Sequence, residues 1–179
     1  DSFHGQIPTI LKINSSNTLA TSLDQAVTGS IDDALKLGCA AIGFTIYPGS
    51  DHNFSLMEEY RELSHEAKAK GLAVVLWAYA RGTNISKKGE TAMNIISYAA
   101  HMSALLGANI IKVKLPSDFL EEDPTKAAFE NNKIAIGSLQ ERVAHIKKVA
   151  FEGKRLVVFS GGDAKDDNAL MEETKAIHF

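Results

Sequence analysis

Residues 110–116 read IIKVKLP, with Lys112 and Lys114 at alternate positions of a run that is otherwise apolar. A strand buried on both faces is nearly continuous in Val, Ile and Leu. Two lysines in such a strand therefore either lean out to solvent along their stems or do chemistry. Side chains two positions apart on one strand share a face and lie about 6.6–7 Å apart. Two ammonium groups at that distance, in a site partly closed to water, each raise the other's cost of carrying charge, and burial acts in the same direction. A partly neutral lysine amine is the nucleophile that forms an imine with a ketone or aldehyde. The strongly apolar surroundings favour the chemical reading over the solvated one. The residues themselves do not choose between the two lysines, although Lys114 lies nearer the C-terminal end of the strand.

Three other stretches end β-type runs in residues able to meet a substrate. In "WAYARG" (77–82) Trp77, Tyr79 and Arg81 fall on one face by alternation. A tyrosine there can transfer a proton and an arginine can meet an anion. The plainer alternative is two core aromatics and a solvated arginine. "VVFSGG" (157–162) ends in Ser160, Gly161 and Gly162 ahead of a helix. Backbone N–H groups of such a loop can approach an oxyanion closely, although a tight turn alone would also ask for glycine. "TIYPGS" (45–50) reads as a turn. No GxxxxGK[ST] loop, GxGxxG fingerprint, GxSxG elbow or HExxH pair occurs, and the six histidines are scattered. No metal site and no nucleotide site is expected.

These residues need a scaffold, and the periodicity of the chain supplies one. Strand-like runs at 8–14, 41–50, 73–81, 109–116 and 155–162 alternate with helical ones at 30–38, 53–71, 91–107, 138–153 and 166–179. Ser30 is a natural N-cap, and Gly38 and Gly71 are natural stops. The stretch around "EEDPTK" reads as a long loop or a short helix. Strands alternating with helices imply a parallel sheet covered by helices. Polar residues recur along one alternating face: Lys12 with Asn14, Thr45 with Tyr47, Trp77 with Tyr79 and Arg81, Lys112 with Lys114, Ser160 with Gly162. That pattern favours a (β/α)₈ TIM barrel, whose strands carry function toward their C-terminal ends, over a doubly wound sheet. Five β/α units do not close an eight-stranded ring, so the expectation is a partial barrel.

Bulk properties set the remaining bounds. The 179 residues are 45% apolar and 23% charged, an ordinary globular composition for one domain spanning 1–179. A net charge of −3 provides no basic field for nucleic acid or an anionic membrane. No apolar run approaches the ~18 residues of a membrane span. The single cysteine, Cys39, is expected to be a buried small apolar residue, and the count suits a reducing, cytoplasmic setting.

Taken together and in order, "AAIGFTIYPGS", "VVLWAYARG", "GANIIKVK" and "VVFSGG" resemble the archaeal-type class I fructose-bisphosphate aldolases. These belong to the wider group of Schiff-base aldolases that includes deoxyribose-phosphate aldolase. The resemblance runs from about residue 7 to about residue 177, and implies a reversible, metal-independent retro-aldol cleavage of fructose 1,6-bisphosphate in glycolysis and gluconeogenesis. It implies Lys112, the first lysine of the K-x-K pair, as the imine-forming residue, with Lys114 as the neighbouring cation. Tyr79 would be the proton donor and acceptor. Trp77 and Arg81 would line the substrate, and Ser160, Gly161 and Gly162 would hold a sugar phosphate. No cofactor is implied; the expected partners are a small phosphorylated sugar and further copies of the chain in a homo-oligomer. A transaldolase-like synthase or a thiolase acting on a phosphorylated diketone would use the same imine, and a non-catalytic phosphosugar-binding fragment is the reading from a different class.

The resemblance also implies that the strands present are the third to the seventh of a barrel. Counterparts of the family's first-strand acidic residue and histidine, and of its last-strand Gly-Arg phosphate contact, do not occur in these residues. The expectation is a chain truncated at both ends, with two open sheet edges that another chain or segment would cover.

Overall fold

The computed structural model describes residues 5–160 and 166–177. In chain order the elements are β1 (Ile10–Lys12), β2 (Asn14–Ser15), β3 (Ala26–Val27), α1 (Ile31–Lys36), β4 (Ala41–Ile46), α2 (Asn53–Ala69), β5 (Ala73–Ala78), α3 (Met93–Leu105), β6 (Ile110–Lys114), α4 (Asp123–Asn131), α5 (Leu139–Val149), β7 (Leu156–Ser160) and α6 (Asp167–Ile177). A short 3₁₀ turn at Gly89–Thr91 precedes α3.

Five strands form one parallel sheet in the order β1-β4-β5-β6-β7. The order never reverses, so the sheet has none of the switch points that define a doubly wound fold. Successive right-handed crossovers then put the helices on one side of the sheet. The helix packing agrees: α1 lies against α2 and β4, α2 against β4 and β5, α3 against β5, β6 and α5, and α5 against α6. This is the wall of a partial (β/α)₈ barrel, as the alternating pattern implies.

Register divides every strand into two faces. The helix-covered face carries Ile42, Phe44 and Ile46, then Val74, Leu76 and Ala78, then Ile111 and Val113, all 0% exposed. Phe44 meets Tyr60 of α2 with ring centroids 5.7 Å apart. Full burial of a side chain of this size contributes about 1.5–3 kcal/mol, so this face is the main source of stability. In α3 the buried Ser97 and Ser103 satisfy their hydroxyls on the carbonyls of Met93 and Ala99, each at 2.7 Å. The opposite face carries Lys12, Gly43, Thr45, Val75, Trp77, Lys112, Lys114 and Ser160, the alternation that marked them in the sequence. On the outer strands that face also exposes Ile10, Leu156 and Val158 (47%, 64% and 46%).

Local chemistry explains the boundaries. Ser30 and Ser138 each form a reciprocal capping box, with Asp33 and Glu141, at the starts of α1 and α5; such a cap is worth about 1 kcal/mol. The "EEDPTK" stretch resolves as a helix, with Pro124 in its first turn where no N–H is needed. Cys39 is half-buried, packed at the margin of the core rather than within it. The antiparallel pair β2–β3 had no sequence signal, being two residues on each side. It is held by the Ile13 carbonyl, which accepts from the N–H groups of Thr28 and Gly29 at 2.8 and 3.1 Å. No helix among the described residues is long and apolar enough to cross a membrane.

Candidate active site

The two lysines of β6 point to the face away from the helices and occupy different environments. Lys112 is in register with Trp77 of β5 and Val158 of β7, and Trp77 is in register with Thr45 of β4. Lys112 is half-buried, and among the described residues its amine has neither a hydrogen bond nor an ion pair. Lys114 lies one pleat further along, beside Ser160. Its Nζ is 2.6 Å from Oε2 of Glu90, in a pair whose side chains are only 26% and 13% exposed. The positive charge of Lys114 is thus largely offset by Glu90, while the neighbouring amine has no such partner among the described residues.

Glu90 reaches Lys114 because the segment after β5 is pinned. Ser86 donates to Glu121 twice, from its N–H at 2.6 Å and from Oγ at 2.9 Å. Gly89 packs so tightly on that carboxylate that a Cβ would stand 2.4 Å from it. Burial alone would push the Glu90 carboxyl up, but hydrogen bonds from Lys114 and Lys87, and their charges, outweigh it and hold the group below its ordinary value. A carboxyl depressed on folding adds stability above its unfolded pKa, near 4.5, and loses it as pH falls through the lower folded value. Glu90→Gln is therefore expected to lower stability by about 1 kcal/mol at pH 7. The deficit should shrink as the wild type is acidified below pH 4.5. Urea midpoints at pH 7 and in acid would show a constant deficit if the ion pair were idle.

The Trp77 indole packs against β4 at Gly43. A methyl group at position 43 would sit 2.0 Å from Cζ3 of the indole, so only glycine admits the ring there. Tyr79 and Arg81 follow the end of β5, which stops at Ala78 rather than continuing to residue 81. Their backbones remain tied to the preceding unit: Tyr79 N–H donates to Ile46 at 3.1 Å and Arg81 N–H to Pro48 at 3.0 Å. Burial raises the pKa of the Tyr79 phenol; a hydrogen bond with the Ser160 side chain and the positive charge of Arg81 pull it part of the way back. Ser160 Oγ also lies 3.3 Å from the Val113 carbonyl. The tyrosine is thus a protonated donor with two groups ready to stabilise its conjugate base. Arg81 stacks on Tyr47, its guanidinium carbon 5.6 Å from the ring centroid.

Around Lys12 lies a polar network that motif reading did not assign to the site. Asn14, fully buried, uses its side-chain amide as a surrogate peptide: Nδ2 donates to the Thr45 carbonyl and Oδ1 accepts from the Thr45 N–H, both at 2.8 Å. Lys12 Nζ donates to Gln25 Oε1 at 2.9 Å, to Asn14 Oδ1 at 3.3 Å and to the Asn14 carbonyl. Gln25 Nε2 donates to the Tyr47 hydroxyl at 2.6 Å. Lys12, Asn14 and Tyr47 stood on the functional face by alternation; Gln25 and Glu90 lie in connecting segments where no periodicity marks them.

Of the residues singled out in the sequence, Trp77, Tyr79, Lys112, Lys114 and Ser160 gather on adjoining strand ends. Arg81 stands toward Tyr47, on the β4 side. Gly161 and Gly162 lie outside the described residues. Among the described residues no group of three His, Cys, Asp or Glu side chains is arranged to hold a metal ion.

A family model described as "DeoC/LacD family aldolase" matches residues 1–176. The chain belongs to that family. Among DeoC/LacD relatives, the class 1 fructose-bisphosphate aldolase of Thermoproteus tenax is 37% identical over 117 residues, covering 65% of this chain and 44% of its own length. The enzyme of the same name from Halobacterium salinarum is 30% identical over 175 residues, covering 97% of this chain and 57% of its own length. A solved archaeal fructose-1,6-bisphosphate aldolase, its catalytic lysine covalently bound to the carbinolamine intermediate of the substrate, superposes with a TM-score of 0.78. It is 28% identical, and the match covers 97% of this chain and 60% of that one. The chain thus spans about half the length of the curated relatives it matches. The aldolase relationship agrees with the sequential strand order and with the resemblance carried by the four motifs.

Proposed function

We propose that this chain forms the imine-bearing part of a class I fructose-bisphosphate aldolase, with Lys112 as the nucleophile. The observation that carries the reading is the contrast within β6: a half-buried amine at Lys112 with no partner among the described residues, beside an ion-paired one at Lys114. The aldolase relatives, one of them with a lysine bound to its substrate's carbinolamine, support it.

The Lys112 amine adds to the C2 ketone of the open-chain sugar bisphosphate, and the carbinolamine loses water to give a protonated imine. A base takes the proton of the C4 hydroxyl, the C3–C4 bond breaks, and its electron pair flows into the imine to leave an enamine. Glyceraldehyde 3-phosphate departs with the new carbonyl. Protonation of the enamine at C3 regenerates the imine, and water releases dihydroxyacetone phosphate and the free amine. The electron sink is the imine itself, which performs the charge stabilisation an electrophilic metal otherwise supplies. Tyr79 serves as the proton-transfer group, and its ordinary protonated form suits donation to the aldehyde oxygen in the condensation direction. Arg81 and the Ser160 segment meet phosphoryl groups. Assembly into a homo-oligomer in the cytoplasm belongs to the same reading and rests on the resemblance alone.

Borohydride reduction in the presence of dihydroxyacetone phosphate tests the proposal. A stable mass adduct on the peptide containing Lys112 is expected. A folded sample that yields none would leave only the phosphosugar-binding reading.

A further inference from the structure

The chain Lys12–Gln25–Tyr47 has a direction, and that direction is set by Lys12. Two acceptors facing its Nζ are unambiguous. One is the backbone carbonyl of Asn14. The other is Asn14 Oδ1, whose identity is fixed independently because it accepts from the Thr45 N–H while Nδ2 donates to the Thr45 carbonyl. An ammonium has three donors and no acceptor. Gln25 must therefore present its oxygen to Lys12, at 2.9 Å, which turns its NH₂ toward the Tyr47 hydroxyl at 2.6 Å. The Tyr47 oxygen is the acceptor in that bond, and its own proton is left to be donated elsewhere.

Tyr47 and Arg81 line a cleft of about 280 Å³, together with Ser16, Asn17, Ser22 and Asp24. Arg81 Nε is itself buried and has no hydrogen-bond partner among the described residues. The one acidic side chain in the lining is already engaged: Asp24 accepts from the Gln25 N–H at 2.8 Å and lies 3.4 Å from His52 Nδ1. The cleft thus presents a tyrosine hydroxyl whose proton has no acceptor among the described residues, beside an arginine guanidinium, to a group that only accepts.

We propose that Tyr47 is a specificity-determining hydrogen-bond donor to a phosphoryl oxygen beside Arg81, and that Lys12 and Gln25 are positioning residues that fix the direction of its O–H bond. This deepens the aldolase reading and rests on its phosphorylated substrate. The contrasting view makes Tyr47 a core aromatic, 8% exposed, whose hydroxyl needs nothing beyond Gln25.

The test is calorimetric titration with glycerol 3-phosphate, which has no carbonyl and so binds without an imine, with glycerol as the control. Tyr47→Phe keeps the ring under Arg81 and removes only the hydroxyl; it is expected to weaken glycerol 3-phosphate binding about 10-fold. Gln25→Glu places an acceptor where the NH₂ stood, turns the Tyr47 proton inward, and should weaken binding comparably. In the double variant the second change should add nothing, because each removes the same donated proton. Wild-type affinity in Tyr47→Phe, no binding by the wild type, or a Gln25→Glu loss that persists in full on the Phe background would each overturn the proposal. The last outcome would mark simple charge repulsion. A wild type that binds glycerol 3-phosphate but gives no borohydride adduct would instead overturn the imine reading while leaving the Tyr47 assignment standing.

Discussion

Lys112→Ala is expected to abolish the borohydride-stable adduct and to lower aldol cleavage by on the order of 10⁴-fold or more, the scale on which removal of a covalent nucleophile acts. The expectation rests on the different states of the two amines in β6. Lys114 is committed to Glu90 at 2.6 Å, so its lone pair becomes available only when that partly buried ion pair is broken. Lys112 has no such commitment among the described residues and sits in register with Trp77, whose ring is laid over Gly43. Lys114→Ala should therefore retain the adduct on Lys112, with turnover reduced by far less. Mass mapping of the reduced protein decides the matter: an adduct that survives Lys112→Ala and disappears in Lys114→Ala would exchange the two roles.

Tyr79→Phe should separate the chemistry into its parts. The variant is expected to form the Lys112 adduct as the wild type does and to lose about 10²–10⁴-fold in turnover, the usual contribution of one proton-transfer group. Burial raises the phenol's pKa and keeps it protonated around neutral pH, and Ser160 and Arg81 offset that rise only in part. In the proposed reaction the protonated form is the donor for condensation, and the phenolate is the base for cleavage. Wild-type cleavage should thus rise with pH toward the phenol's titration, and the Phe variant should lose that alkaline limb. Full turnover in Tyr79→Phe would assign the proton transfer to another group.

Much of this was legible in the residues. The alternation of apolar and polar positions through "AVVLWA" and "IIKVK" sorted the two faces of the sheet correctly, because strand parity is a rigid geometric rule. Strand ends were less legible: Tyr79 and Arg81 continue the face of β5 in sequence, but the strand stops at Ala78. The role of Lys114 was altered by a partner, Glu90, contributed by a connecting segment. Its placement depends on Ser86, Gly89 and Glu121 meeting across intervening elements. Gln25 escaped notice for the same reason. Spacing within a strand predicts which side chains share a face, but contacts made by loops depend on the folded whole.

The sequential strand order bears on how the molecule assembles and comes apart. Each strand pairs only with the strand of the neighbouring β/α unit, so the sheet behaves as a short array of nearest-neighbour contacts in which order spreads outward from a local nucleus. Releasing a strand that is paired on both sides costs two such interfaces. Trp77 on β5 and both lysines on β6 lie on interior strands. Trp77, Lys112 and Lys114 are therefore each held between two ladders, and their spacing is fixed from both sides at once.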